Sequence, residues 1–224
     1  MRTGMHFNEF MAVAERAEQL KRDYEVETSK VHAVYLDGGS LGLHLERQNQ
    51  TYRIGSVAHD NLSTLTGIPR QYYQKMLHHH PKELAGLIEM HLHNDEGIPE
   101  QRFVRTIGTK VRALLSTRYG VLDHIDVARM LGANLPALGG EVRSVLCTEK
   151  RLTFQFLFPK LQGIVNPKVG DVVQAGLAIS NSEVGLGMFR VEALLFVLAC
   201  TNGMISLPGR VEAGRSTAAS ICGC

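Results

Sequence analysis

The segment Gly176–Ser206 constrains the fold more than any other stretch, because its apolar and polar residues alternate between glycine-containing turns. A short alternating run with Leu177 and Ile179 leads into Asn181-Ser182-Glu183, and a second extended run covers residues 188–191. Alternation bounded by Gly, Asn and Ser is typical of paired strands. We therefore predict two strands with a turn between them.

A continuous apolar run, residues 193–200, follows these strands. The run is too short for its period to separate a strand from a helix. Gly203 comes directly after Asn202, in the position where helices commonly end. We predict a buried helix over residues 192–202, packed on the preceding strands.

The same alternation occurs upstream of this block. Residues 142–147 and 152–158 alternate around the polar turn Thr148–Arg151, and residues 172–179 begin the next strand. Short turns between alternating runs are typical of consecutive antiparallel strands. The C-terminal part is therefore predicted to be an antiparallel strand meander followed by a helix.

The N-terminal half combines helical and strand patterns. Residues 7–24 have apolar residues at helical spacing, which predicts an amphipathic helix. Two alternating runs flank Asp37-Gly38-Gly39-Ser40, which is a hairpin signal. Two further helices, residues 70–80 and 82–93, meet at Pro81 and form a helical hairpin. Together with the meander, these elements predict an α+β fold.

The chain is predicted to divide into three regions. Residues 1–97 hold the N-terminal helix, the hairpin and the helical hairpin. Residues 98–206 hold a basic strand segment and the antiparallel α+β core. Residues 207–224 are rich in Gly, Ala and Ser and form a loose tail.

Composition favours a soluble globular protein, with 44% hydrophobic and 21% charged residues among 224. The sequence has no run of 18 apolar residues and no basic segment ahead of an apolar one, so we predict no membrane span and no signal peptide.

Cys147 and Cys200 lie in apolar runs, where a thiol acts as a small hydrophobe. We expect a cytoplasmic protein, in a bacterial host cell, without a disulfide framework.

Histidines are confined to the first part of the chain, at or before His124. The run His78–His80 and the pair His91 and His93 are the two groups that could indicate a metal. Residues two apart on a helix point to different faces, so His91 and His93 do not converge. No third ligand stands at a recognisable spacing. We therefore predict no metal site and no cofactor.

The most polarised stretch is residues 101–122, which contain no acidic residue. Residues 1–100 carry 10 Lys/Arg against 14 Asp/Glu, whereas residues 101–224 carry 14 against 8. Cations interleaved with an aromatic ring suit a nucleic-acid backbone, because the cations displace counterions and the ring stacks on a base. The predicted binding residues are Arg102, Arg105, Lys110, Arg112, Arg118 and Tyr119.

An internal role for these arginines is the competing interpretation. Arg112 or Arg118 would then pair inside the fold with Asp123, Asp126 or Glu183. A glutamate in an apolar block needs a counter-charge, and the neighbouring Asn and Ser bond readily to nearby backbone. On this interpretation the motif Asn181-Ser182-Glu183 shapes a turn and neutralises one of the two arginines.

Two blocks carry a family resemblance: NSEVG at residues 181–185 with ACTNGM at 199–204, and RTIG at 105–108 with RALLSTRY at 112–119. They resemble a phage and plasmid family known as domain of unknown function 932. That resemblance implies a phage or plasmid protein but names no reaction. The predicted meander and helix are also similar in outline to single-strand annealing proteins of the RecT, Red-beta and ERF kinds. This similarity implies single-stranded DNA as partner, a role in recombination or replication, and a homo-oligomer.

Two alternatives remain open at the level of sequence. The first is a phage-encoded enzyme or host-modulating protein, with Asp123, His124, Asn181 and Glu183 as site residues. The second is a helix-turn-helix DNA reader formed by residues 60–80. Its outer face would offer polar and basic contacts from Arg70, Gln71, Gln74 and Lys75.

Overall fold

The computed structural model describes residues 5–135, 137–164, 172–197 and 205–206. Segments in which apolar and polar residues alternate form a six-stranded sheet, mostly in the N-terminal half. Its strands are β1 (Lys21–Glu27), β2 (Val31–Leu36), β3 (Ser40–Leu45), β4 (Gln50–Ile54), β5 (Gln101–Ile107) and β6 (Lys110–Leu115). Their order in space is β1-β5-β6-β4-β3-β2. All neighbours are antiparallel except the parallel pair β4 and β6.

The predicted hairpin of β2 and β3 is confirmed, and its turn residues have the backbone conformation that a tight turn requires. Gly38 and Gly39 have φ angles of 85° and 82°. Residues with a Cβ rarely adopt this left-handed region. The two strands pair in register from Val31 with Leu45 to Leu36 with Ser40.

The hairpin of β5 and β6 lies in the middle of this first sheet, between β1 and β4. Lys21 of β1 pairs with Ile107 of β5, and Arg53 of β4 pairs with Lys110 of β6. The first sheet therefore extends past the boundary predicted at residues 97 and 98.

Helices cover parts of both sheets: α1 (Phe7–Leu20), α2 (Ser56–Leu65), α3 (Arg70–His79), α4 (Pro81–Asn94) and α5 (His124–Asn134). Helices α2 to α4 pack on the first sheet. Leu84, Ile88 and Leu92 form one buried stripe of α4, and Tyr73 of α3 is completely buried beside them. None of the described helices combines the length and apolar character needed to cross a membrane.

The C-terminal meander forms a second, antiparallel sheet in the order β11-β10-β9-β8-β7. Its strands are β7 (Glu141–Cys147), β8 (Leu152–Ile164), β9 (Val172–Asn181), β10 (Arg190–Val197) and β11 (Ile205–Ser206). Helices α1 and α5 bury Phe154, Phe156 and Ile179 on one face, where the rings of Phe10 and Phe154 meet edge-on at 5.4 Å. The α+β class is confirmed.

The helix predicted over residues 192–202 is wrong for its described part, because residues 190–197 form β10. Leu194 and Phe196 are buried while Glu192 and Ala193 are exposed. The buried residues thus recur every second position, as in a strand. Residues 198–202 and the predicted loose tail, residues 207–224, lie outside the described residues.

Candidate functional site at the junction of the two sheets

Glu183 is the central residue of a buried group of charges between the two sheets. It lies two residues after the end of β9 and is only 4% exposed. One carboxylate oxygen, Oε1, accepts hydrogen bonds from Lys21 Nζ at 2.7 Å and from the backbone N–H of His124 at 2.6 Å. The other, Oε2, accepts from Arg112 Nη1 at 2.5 Å. Glu183 therefore connects β1, β6 and the start of α5.

Arg105 lies beside this carboxylate and has no exposed surface. Its Nε donates to Asp23 at 3.0 Å, its Nη2 to Asp123 at 2.7 Å, and its Nη1 to the carbonyl oxygen of Glu183 at 3.0 Å. Every guanidinium nitrogen thus has an internal acceptor. A ligand on the surface cannot contact Arg105 in this structure.

Six charged residues pair with one another here, and we call them the charge cluster: Lys21, Asp23, Arg105, Arg112, Asp123 and Glu183. Their formal charges cancel, as buried charges require. Burial opposes ionisation of Glu183, but contacts with His124 and Lys21 hold its pKa well below the usual range. Burial likewise opposes a charged Arg105, yet its hydrogen bonds to Asp23 raise its pKa. Glu183 and Arg105 therefore both carry their charges at neutral pH.

The motif Asn181-Ser182-Glu183 acts as predicted, by shaping the turn and neutralising Arg112. Asn181 donates from Nδ2 to the carbonyl oxygen of Leu122 at 2.8 Å. Ser182 Oγ donates to the carbonyl oxygen of Lys150 at 2.7 Å and accepts from the N–H of Leu186 at 3.1 Å. Each of the three side chains therefore binds a different segment of the chain.

His124 completes the group of residues that the enzyme hypothesis names. Its Nδ1 lies 3.2 Å from Asn181 Nδ2, and burial lowers the pKa of His124 to about 4. At neutral pH His124 is therefore a neutral imidazole and Glu183 a carboxylate. General acid–base catalysis is most efficient when a pKa lies near the working pH. Neither group meets that condition.

A cavity of about 340 Å³ lies beside the charge cluster, between α1 and the two sheets. Apolar side chains of α1, including Phe10 and Ala14, form one wall, and Lys21, Arg112 and Glu183 form another. Cys147 also lines the cavity, and burial raises the pKa of its thiol. A protonated thiol is a poor nucleophile. The cavity is suited to holding a small molecule better than to attacking one.

The six residues predicted to bind nucleic acid do not share one surface. Arg105 lies in the interior, and Arg112 pairs with Glu183, which confirms the internal interpretation for Arg112. Lys110 pairs with the exposed Glu149 at 2.6 Å. Arg102 is half-buried, and burial lowers its pKa.

Arg118 and Tyr119 lie near the turn that follows β9. Arg118 is exposed and makes no ion pair with any described residue. The Tyr119 hydroxyl donates to the carbonyl oxygen of Ser182 at 2.8 Å, and its ring stacks on Phe103 at 6.4 Å. Tyr119 therefore holds the loop after β6 against the turn, and only part of its ring is accessible.

A different set of cations surrounds the same turn and was not predicted as a group. Ser182 contacts both the loop after β6, through Tyr119, and the β7–β8 turn, through Lys150. Four exposed cations lie in this region, and none of them makes an ion pair with a described residue. We call them the basic loop surface: Arg118, Lys150, Arg151 and Arg190. Met188 and Phe189, between Ser182 and Arg190, are 72% and 40% exposed. The run Met188-Phe189-Arg190 was the available signal in the sequence.

The helices of the proposed helix-turn-helix reader pack on the first sheet. Arg70 pairs with Asp60 at 3.0 Å, and Tyr73 is buried. Gln71, Gln74 and Lys75 are exposed on the outer side of α3.

Comparison of the chain with protein-family models, with curated proteins and with solved structures found no match. The resemblance of its motifs to the phage and plasmid family stays a prediction.

Proposed function

We propose that the chain binds single-stranded DNA without sequence preference, through the basic loop surface. The observation that carries the proposal is that four exposed cations lie on chain segments that meet near Ser182, together with the exposed Phe189. Each cation that neutralises a phosphate releases condensed counterions. An exposed ring adjacent to such cations stacks on an unpaired base, whatever that base is.

Two further features support a surface rather than the charge cluster as the binding site. All three guanidinium nitrogens of Arg105 already have internal acceptors, so binding a phosphate through Arg105 would break buried ion pairs. Arg112 is paired with Glu183 and is only 15% exposed. Arg118 and Arg151, in contrast, have no carboxylate to release among the described residues. The nearest acidic side chain in the β7–β8 turn, Glu149, is occupied by Lys110 and Ser56.

The proposal is tested by the salt dependence of binding to a labelled single-stranded oligonucleotide, followed by fluorescence anisotropy. Each phosphate contact adds about −0.7 to the log–log slope of affinity against salt, so four contacts give roughly −3. The double variant Arg118→Ala/Arg151→Ala should flatten the slope by about 1.4. The matched control is Lys75→Ala/Lys82→Ala, which removes two exposed cations from α3 and α4 and should leave the slope unchanged.

The stacking contact is tested separately by Phe189→Ala. We expect weaker binding by about 1–3 kcal/mol with an unchanged salt slope. Tyr72→Ala is the matched control, because Tyr72 is an exposed aromatic residue on α3. The proposal fails if the folded chain does not bind at low salt, or if the control variants weaken binding as much as the loop variants do. A duplex competitor of equal length shows whether single strands are preferred.

Assembly into a homo-oligomer is part of the same proposal, by analogy with single-strand annealing proteins. Light scattering after size-exclusion chromatography, with and without oligonucleotide, measures it directly. If the protein is a monomer with and without oligonucleotide, the analogy with single-strand annealing proteins fails, and only the proposal of DNA binding remains.

A second candidate function is the binding of a small anionic ligand with an apolar body in the cavity beside the charge cluster. The cavity combines the apolar wall of α1 with Arg112, whose Nε and Nη2 are buried and have no hydrogen-bond partner among the described residues, although Glu149 and Glu183 also line it. The fluorescent sulfonate anilinonaphthalene sulfonate has this chemistry and serves as the probe. Ala17→Trp fills the cavity and should abolish binding, whereas Ala12→Trp, on the exposed side of α1, should not. Equal binding to both variants would place the probe elsewhere.

A further inference from the structure

A group of histidines and carboxylates lies between β2 and α4, away from the charge cluster. His32 belongs to β2, while Glu89 and His93 lie one turn apart on α4. One ring nitrogen of each histidine and one oxygen of Glu89 all lie within 4.8 Å of one another. Such a separation is close to what one metal ion requires of its ligands.

Glu89 is held firmly in the middle of this group. Its Oε2 accepts a hydrogen bond from the backbone N–H of Ala33 at 2.7 Å, on the edge strand of the first sheet. Its Oε1 lies 2.7 Å from His32 Nδ1 and 3.1 Å from His93 Nε2. The two imidazole rings stack at 5.1 Å. One carboxylate oxygen therefore faces both histidines.

The other ring nitrogen of His32 has its own partner. His32 Nε2 lies 2.8 Å from Oε1 of Glu46. When the proton of the neutral imidazole is on Nε2, it is donated to Glu46 and the lone pair of Nδ1 faces Glu89 and His93. A carboxylate that fixes the tautomer of a metal-binding histidine in this way is a recurrent feature of metal sites.

We propose that His32, Glu89 and His93 bind a divalent first-row transition metal ion of the zinc type, with Glu46 orienting His32. Two imidazoles and one carboxylate suit such ions and leave a coordination position open. The carboxylates of Glu46 and Glu89 balance the charge of the ion. Tetrahedral bonds of about 2.0–2.2 Å place ligand atoms about 3.3–3.6 Å apart. The distances from Glu89 Oε1 to His32 Nδ1 and to His93 Nε2 are 2.7 and 3.1 Å. Each must lengthen by less than about 1 Å to admit the ion, which a small rotation of the side chains allows.

The prediction of no metal considered His91 and His93 as a pair, and these two do face different directions. His91 Nδ1 lies 2.6 Å from Asp95 instead. The pair that converges is Glu89 and His93, at a spacing of four residues, and its third member lies on a strand 57 residues before Glu89. Helical spacing alone contains no information about His32.

Isothermal titration calorimetry of the full chain with zinc chloride is the principal test. We expect one tight zinc site per chain. Loss of an orienting partner alone weakens metal affinity by about 10–100-fold, so loss of a direct ligand in His93→Gln should weaken it by at least about 100-fold. His91→Gln is the matched control, since it removes a histidine from the same turn of α4 and should leave the affinity unchanged.

Two further variants separate the proposed site from adventitious binding. Replacing His78, His79 and His80 together by Gln should leave the tight site intact, because this run lies on α3 and the connection that follows it. Glu46→Gln should weaken zinc binding by about 10–100-fold while keeping one site per chain. Cobalt absorption in the visible range provides an independent readout, since its bands should disappear in His93→Gln.

The proposal is overturned by any of three results. The first is no zinc binding to the folded chain. The second is an affinity that His93→Gln and His32→Gln leave unchanged. The third is a tight site that disappears with the triple replacement of His78–His80. Circular dichroism of each variant verifies that the fold is retained, and His93→Gln alters a side chain near the end of a helix rather than in a core.

Discussion

The guanidinium group of Arg112 lies 2.5 Å from the carboxylate of Glu183, and this pair joins the middle of the first sheet to the turn that ends β9. The side chains are 15% and 5% exposed. Both charges have therefore lost most of their hydration and depend on each other and on Lys21. Removing one member of such a pair leaves a buried charge without compensation.

Glu183→Ala should lower the free energy of unfolding by about 3–5 kcal/mol, the range for a broken buried ion pair. Urea denaturation at neutral pH measures it. Glu149→Ala is the control, because Glu149 makes an exposed pair with Lys110 and should contribute less than about 1 kcal/mol. Equal effects of the two substitutions would contradict the central role of Glu183.

Arg105→Lys keeps the charge but provides one ammonium group where Asp23, Asp123 and the carbonyl oxygen of Glu183 each need a donor. We expect a loss of at least about 2 kcal/mol in unfolding free energy, since each buried acceptor without a partner costs about 1–3 kcal/mol. The salt slope of oligonucleotide binding should not change. If Arg105→Lys made oligonucleotide binding less dependent on salt and left the stability unchanged, Arg105 would contact DNA instead of pairing inside the fold.

Stability should fall as the pH drops from about 6.5 to about 4, because burial lowers the pKa of both His59 and His124 to about 4. In that window the unfolded chain binds protons that the folded chain does not accept. Each histidine therefore contributes a slope of up to about 1.4 kcal/mol per pH unit, and none above about pH 6.5. Urea denaturation at about pH 7.5, 6 and 5 measures the slope.

His32 acts in the opposite direction and in a different window, above about pH 6.5, so it does not offset this slope. Its hydrogen bond to Glu89 raises the pKa of His32, so its contribution is complete at low pH and is lost as the pH rises through the raised pKa. His59→Gln should remove about half of the combined slope of the two buried histidines, since they contribute equally. His78→Gln, on the surface of α3, should not change it. If the free energy of unfolding did not change between about pH 6 and pH 5, the burial of His59 and His124 would be contradicted.

Gly176→Ala should destabilise the second sheet, whereas Gly86→Ala should not. A Cβ at position 176 would collide with the ring of Phe196 and with the carbonyl oxygen of Phe156, and the backbone atom cannot move away. Overpacking of this kind costs about 1–3 kcal/mol. Gly86 lies within α4 and has open space around it, so alanine there should stabilise by about 0.5–1 kcal/mol. Thermal melts of the two variants should move in opposite directions.

Local patterns predicted the elements whose signals are themselves local. The hairpin around Gly38 and Gly39 follows from alternation and from two residues that tolerate positive φ. A helix over residues 192–202 was predicted because the run 193–200 is uniformly apolar and Gly203 stands where helices commonly end. Such a run has no visible period, and only pairing with β9 decides its conformation.

The charge cluster could not be predicted from the segment that contains its arginines. Residues 101–122 contain no acid, yet Arg105 is paired with Asp23 and Asp123, 82 and 18 residues away. The sheet order brings β1 beside β5 and thereby places Asp23 opposite Arg105. A count of charges along the chain measures composition, and pairing depends on topology. A link between Glu183 and either Arg112 or Arg118 was predicted because a glutamate inside an apolar block requires a counter-charge, and the structure shows that Arg112 is the partner.

Helix α1 has its packing partners far along the chain, since Phe10 lies against Phe154 and Ala14 belongs to the same core as Ile179. During translation this helix leaves the ribosome before its partners have been made, and its apolar side stays open to water or to chaperones until they emerge. Contacts so distant in sequence also slow folding. Cleaving the chain between α4 and β5 would therefore not release two stable fragments, because each would lack strands or a helix that the other contains.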